Sequence, residues 1–133
     1  MNVEKIGITP TKKTKQGLWN LFIEQVSLPE GFTPVTHSLV SIPPSEVGGN
    51  HKHPRREIFL AVTDGLVLVW KDETGKREEK MGPTEGHGLT LFSLPPYIPH
   101  AVVNRGKIPA IMYEWADAKQ HDVERVHLIE VER

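Results

Sequence analysis

His51 and His53 stand two residues apart, and Glu57 follows four residues after His53, in the stretch GGNHKHPRRE (48–57). Further along, PPYIPHAVVN (95–104) supplies His100 and Asn104. On a strand, side chains at i and i+2 point to one face, and a rise of about 3.3 Å per residue sets His51 and His53 roughly 6.6 Å apart. Imidazoles at that spacing can converge on one ion about 2.0–2.1 Å from each ring nitrogen. A carboxylate and a third imidazole complete a four-ligand set and leave positions open to water or substrate, which catalytic sites keep and structural sites lack. Residues 51, 53 and 57 share one parity, so an uninterrupted strand aims all three the same way and turns Lys52 away; Pro54 is where such a strand can bend. The alternative is a polar pocket that uses the same histidines without a metal.

Ligands drawn from separate stretches need a rigid frame, and the rest of the chain reads as short strands. LWNLFIEQV (18–26) and VTHSLVSI (35–42) predict strands, with SLPEGFTP (27–34) a turn and IPPSEVGGN (42–50) a loop leading to the ligand strand. REIFLAVTDG (56–65) is almost continuously apolar, as in a strand buried on both faces. Asp64-Gly65 predicts a tight turn, with LVLVWK (66–71) returning as the hairpin partner. DETG (72–75) turns again into KREEKM (76–81), an exposed strand of poor β propensity. GLTLFSL (88–94), HAVVN (100–104) and AIMYEWA (110–116) predict further strands, and Pro95, Pro96 and Pro99 exclude regular central pairing before His100. Residues 1–17 form an edge strand or an arm, and VERVHLIEV (123–131) a terminal strand or short helix. Short strands with turns every eight to twelve residues predict an all-β sandwich or jelly-roll barrel.

The 133 residues argue one domain, 1–133. A net charge of −1 gives no electrostatic pull toward nucleic acid. The absence of cysteine removes disulfides, thiolate ligands and cysteine nucleophiles together and is compatible with a cytoplasmic protein. No stretch reads as a signal peptide or a membrane span. Asn104 shares His100's strand parity and is a candidate for the pocket, as is His37 on an earlier strand. Phe59, Trp70 and Tyr113 are strand aromatics that wall the pocket or pack the core. His87, His121 and His127 lie in polar stretches and are expected in solvent. Lys52, Arg55 and Arg56 are expected to form a solvated basic loop near the pocket mouth.

The two histidine stretches resemble the motifs of the cupins, small β-barrels whose first motif runs roughly G-x5-HxH-x3,4-E-x6-G and whose second runs G-x5-PxG-x2-H-x3-N. His51, His53 and Glu57 match the first; Pro95, His100 and Asn104 fall in register with the second. The likeness covers about residues 34–116. The first motif's opening Gly falls at Ser45 and its closing Gly is Gly65, displaced by one residue. The second motif's first Gly falls at Leu89 and its PxG Gly at Tyr97. The resemblance implies a single-domain cupin barrel (double-stranded β-helix), a metal held by His51, His53, Glu57 and His100, and a homodimer. The metal is one divalent transition ion, with Fe, Mn, Zn or Ni as candidates.

On this reading the chain is a metal-dependent enzyme acting on a small organic substrate, of dioxygenase, isomerase or decarboxylase type, with no catalytic residue assigned. GNHxH (49–53) also resembles the cupin branch that isomerises nucleotide-linked keto-sugars. There the histidine pair serves as general acid and base without metal. That branch places an arginine just before the string, whereas here no basic residue occurs between His37 and His51. A non-enzymatic barrel that holds a small ligand is the third reading.

Overall fold

The computed structural model describes residues 2–83 and 88–129. Among them the chain forms β1 (Glu4–Ile8), β2 (Lys12–Lys13), β3 (Trp19–Asn20), β4 (Thr36–Ile42), β5 (Val47–Lys52), β6 (Glu57–Ala61), β7 (Leu66–Asp72), β8 (Gly75–Lys80), β9 (Leu89–Leu94), β10 (His100–Asn104), β11 (Ala110–Ala116) and β12 (Glu124–Arg125). A short 3-10 turn, Ile23–Gln25, is the one helical element described. Among these residues no helix is long and apolar enough to cross a membrane.

Two five-stranded antiparallel sheets face each other, in the orders β1-β9-β6-β11-β4 and β12-β5-β10-β7-β8; β2 and β3 form a separate ribbon. The inner faces bury Ile42, Phe59, Leu66, Leu68, Phe92 and Met112 among others. Strands alternate faces, so the near-continuous apolar runs need a second cover. Phe59 and Ala61 of β6 join the inner core, while Ile58 and Leu60 pack outward with Leu91 and Trp115 under Leu21, Ile23, Val26, Leu28 and Phe32. On the other sheet, Val67, Val69 and Val103 are covered by Val47, Leu128 and Ile129. Segments near both termini thus roof the sandwich.

Four expectations change. LWNLFIEQV is not one strand: only Trp19–Asn20 pairs, and Leu21, Ile23 and Val26 serve as cover for the outer face. The loop expected at 42–50 is half strand, because β5 begins at Val47 against β10. Asp64-Gly65 does not close a hairpin. β6 pairs with β9 and β11, and β7 with β10 and β8, so the turn carries the chain from one sheet to the other. VERVHLIEV contributes only the two-residue β12 and the Leu128–Ile129 cover; its last residues, 130–131, lie outside the described residues, as does His87. Residues 4–8 do form an edge strand, with Ile6 opposite Leu91.

Candidate metal centre

His51 lies near the end of β5 and stands directly across from His100, the first residue of β10. A register shift follows between His100 and Ala101, and Gly49 fits there because a Cβ would meet the His100 carbonyl at 3.2 Å. β5 ends at Lys52. His53 opens a corner through Pro54, Arg55 and Arg56, and Glu57 is the first residue of β6 in the opposite sheet. The shared parity of 51, 53 and 57 therefore does not arise from one uninterrupted strand; a bend at Pro54 brings the acid over from the other sheet. Tyr97 N–H donates to the His53 carbonyl at 2.8 Å and ties the corner to the stretch before β10.

The three imidazoles form a near-equilateral triangle, with ring centroids 4.8, 4.8 and 5.0 Å apart. His53, Glu57 and His100 are each almost fully buried. His53 Nδ1 donates to the Arg55 carbonyl at 3.1 Å, and His100 Nδ1 donates to the Ile98 carbonyl at 2.8 Å. A carbonyl can only accept, so each Nδ1 carries a proton and each ring turns its Nε2 inward. Both Nε2 atoms face Glu57 Oε1, at 3.0 and 3.1 Å. A ring nitrogen and a carboxylate oxygen at that distance share a proton or have a cation between them. His100 Nε2 is buried and lacks a well-aligned hydrogen-bond partner despite its short distance to Oε1.

This donor set fits a divalent transition metal. One ligand atom from each of His51, His53, Glu57 and His100 lies within 4.8 Å of the others. Donors on opposite sides of an ion at about 2.1 Å would be about 4.2 Å apart, so a contraction of about half an ångström suffices. Carbonyls that bond the outer nitrogens of ligating imidazoles are a regular part of such centres. Burial, reinforced by His100 and His53, lowers the His51 pKa to about 4, which keeps its ring neutral. Burial pushes the Glu57 carboxyl up, but hydrogen bonding and charge from His100 and His53 outweigh it and hold the group well below the usual carboxylate range.

A cavity of about 150 Å³ adjoins the cluster. His51, His100, Glu57, Arg55, Glu114 and Gln120 form its polar side; Val40, Ile42, Phe59, Val102 and Met112 form its apolar side. Arg55 was expected in solvent and is instead a largely covered part of this wall. Its Nη2 donates to Glu57 Oε2 at 2.6 Å and to Glu114 Oε1 at 3.0 Å, and its Nη1 to the Ala118 carbonyl at 3.2 Å. Burial, then the Glu57 charge, pushes the Glu114 carboxyl up to about 7. Sequence reasoning missed this pair. The signals were an arginine two residues ahead of the candidate acid and a lone acid inside the apolar strand AIMYEWA. The other two members of the basic cluster do stay near the surface. Lys52 reaches Glu124 at 3.3 Å, and the Arg56 guanidinium lies 5.4 Å from the centre of the Phe32 ring.

Of the remaining candidates, Phe59 lines the cavity, its ring 6.1 Å from that of His100. Trp70 packs in the inner core. Tyr113 and His37 sit on the outer face of their sheet, joined OH to Nδ1 at 3.2 Å. Asn104 is fully buried in a structural role: its amide donates to the Ile42 and Ile108 carbonyls, and its Oδ1 accepts from Gly106 N–H, each at 2.8 Å. His121 and His127 are exposed. Two of the three motif positions that lack glycine have a glycine-like backbone, Ser45 with φ 69° and Tyr97 with φ 62°; Leu89 is an ordinary strand residue.

No family model matches the sequence, and no curated protein matches it. Solved structures do match. CapF, a capsular polysaccharide assembling protein from Staphylococcus aureus, aligns with a TM-score of 0.60 at 20% identity over 72% of this chain and 27% of its own. WlaRA, a TDP-fucose-3,4-ketoisomerase from Campylobacter jejuni, aligns with a TM-score of 0.69 at 14% identity, over 92% of this chain and 86% of its own. An oxalate oxidase aligns with a TM-score of 0.56 at 19% identity over 68% of this chain and 45% of its own. The chain thus spans under a third of CapF. These likenesses show the fold, a cupin barrel with the outline of the sugar-nucleotide ketoisomerases.

Proposed function

We propose that this cupin barrel binds one divalent transition metal through His51, His53, Glu57 and His100 and is a metal-dependent enzyme acting on a small organic substrate. One observation carries the reading: backbone carbonyls fix the outer nitrogens of His53 and His100, so both Nε2 atoms converge on one Glu57 oxygen beside His51, a four-donor cluster of a size that an ion can draw together. Iron, manganese, zinc or nickel all accept such nitrogen and oxygen donors. When bound, the ion supplies Lewis-acid polarisation, water activation or, as iron, dioxygen chemistry. The chain supplies the seat. Val40, Ile42, Phe59, Val102 and Met112 exclude water on one side, and the polar wall orients the substrate on the other. At about 150 Å³ the cavity is well below the roughly 300–1,000 Å³ of pockets for drug-sized ligands, which favours a small substrate. A cytoplasmic homodimer completes the proposal; a monomeric mass by light scattering counts against the dimer.

A second reading has support from the fold likeness to WlaRA over 92% of the chain. In it the histidine pair transfers protons on a nucleotide-linked keto-sugar without metal. The absence of a basic residue between His37 and His51 and the placement of Glu57 against two imidazoles weigh against it.

Elemental analysis of protein purified without added metal or a His-tag separates the two. About one equivalent of metal in the wild type, lost in His51→Ala, supports the metal reading. No metal in either protein, and none taken up on titration, overturns it and brings forward assays on TDP-keto-sugars.

A further inference from the structure

We infer that Arg55 restricts Glu57 to a one-oxygen ligand and thereby keeps part of the metal's coordination sphere open for substrate. The inference rests on the metal reading above. The Glu57 carboxylate is divided between two environments. Its Oε2 accepts from Arg55 Nη2 at 2.6 Å, and its Oε1 faces the Nε2 atoms of His53 and His100 at 3.0 and 3.1 Å. A carboxylate beside a divalent ion can bind through one oxygen or both. Here the second oxygen is held back by a short, partly buried, charge-assisted bond, the strong kind of hydrogen bond.

Arg55 is itself gripped by the strand next to β6. Glu114 of β11 shares the same Nη2 at 3.0 Å, and the Ala118 carbonyl takes Nη1. The Arg55 side chain is only 10% exposed, and its Nε is buried without a partner. Turning Oε2 toward an ion would deprive an already under-bonded guanidinium of its shortest bond. The backbone of the same residue does a second job, because its carbonyl holds the His53 Nδ1 proton. Arg55 is therefore a positioning residue for two ligands at once, His53 through its main chain and Glu57 through its side chain.

Cobalt(II) is the probe, since its visible bands weaken as its coordination number rises. Arg55→Met removes the guanidinium and keeps much of the stem volume. The expected result is cobalt binding weaker by about 10–100-fold, with weakened visible bands as both Glu57 oxygens reach the ion. Arg55→Lys, which returns a cation to Oε2, should recover most of both losses, a rescue that a purely structural role would not tie to the spectrum. Wild-type affinity and bands in Arg55→Met overturn the inference. If that variant fails to fold by circular dichroism, a crystal structure of the cobalt-loaded wild type decides: one Glu57 oxygen on the ion supports the inference and two overturn it. Failure of the wild type to bind cobalt, zinc or iron at all overturns the metal reading, and the inference with it, and so differs from a failure confined to Arg55.

Discussion

Gly65 makes room for the Asn104 amide: a Cβ built on Gly65 would stand 2.7 Å from Asn104 Oδ1. Gly65 also has φ 111°. Gly65→Ala combines overpacking with a left-handed backbone and is expected to destabilise the fold by about 2–4 kcal/mol. A fall in the urea midpoint at unchanged slope measures it; a loss below about 1 kcal/mol shows that the turn relaxes freely.

Asn104→Ala should cost a similar amount for a different reason. It strips the amide from the Ile42 and Ile108 carbonyls and from Gly106 N–H. Buried groups left unpaired cost about 1–3 kcal/mol each, less where water enters. Because Asn104 does not line the cavity, metal binding by folded protein should be unchanged. Titration calorimetry at a temperature where the variant remains native checks this.

Glu57→Gln keeps the shape of the centre and removes its negative charge. Metal affinity is expected to fall at least about a hundredfold, since even partners outside the ligand set account for 10–100-fold. Competition against a chromophoric chelator gives the number, and an affinity within threefold of wild type excludes Glu57 as a ligand.

The Glu114 carboxyl, raised to about 7 from an ordinary 4.5, gives the metal-free chain a pH signature. The folded state binds more protons than the unfolded state between those values. The stability contribution is therefore fully present below the unfolded pKa and lost as pH rises through about 7. His51, lowered to about 4, acts in the opposite sense between about 4 and 6.5, so the comparison is between variants. Glu114→Gln should melt closer to the wild type near pH 5 and above it near pH 8, in chelator. Parallel melting profiles would falsify the assignment.

Tyr97 is 58% exposed and has φ 62°. A left-handed residue other than Gly costs about 1–2 kcal/mol, and Gly gives back roughly 0.5–1 through its freer unfolded chain. Tyr97→Gly is expected to be neutral or to stabilise by up to about 1 kcal/mol, read from the urea midpoint. A marked fall shows that the tyrosine ring packs against something the chain needs.

Some of this was legible in the residues. Spacing brought His51, His53, Glu57 and His100 into one group, and turn residues marked most strand ends. Which sheet a strand joins was not legible. Asp64-Gly65 has the chemistry of a reversal, but a reversal does not say whether the next strand pairs with the last one or crosses the core. Leu21, Ile23 and Val26 looked like part of a strand because an apolar run that roofs a sheet has the same composition as one that joins it. Arg55 read as surface because its partners, Glu57 and Glu114, are brought beside it only by the corner and by β11. Ser45 and Tyr97 align with motif glycines, but nothing in their side chains signals the left-handed backbone that both adopt.

The corner at Pro54 has one more consequence. Because it carries Glu57 into one sheet while His51 and His100 stay in the other, an ion at this centre would rivet the halves of the sandwich. Prying the sheets apart would then require releasing the ion, and about 2.7 kcal/mol of added stability would come from free metal at a hundred times its dissociation constant.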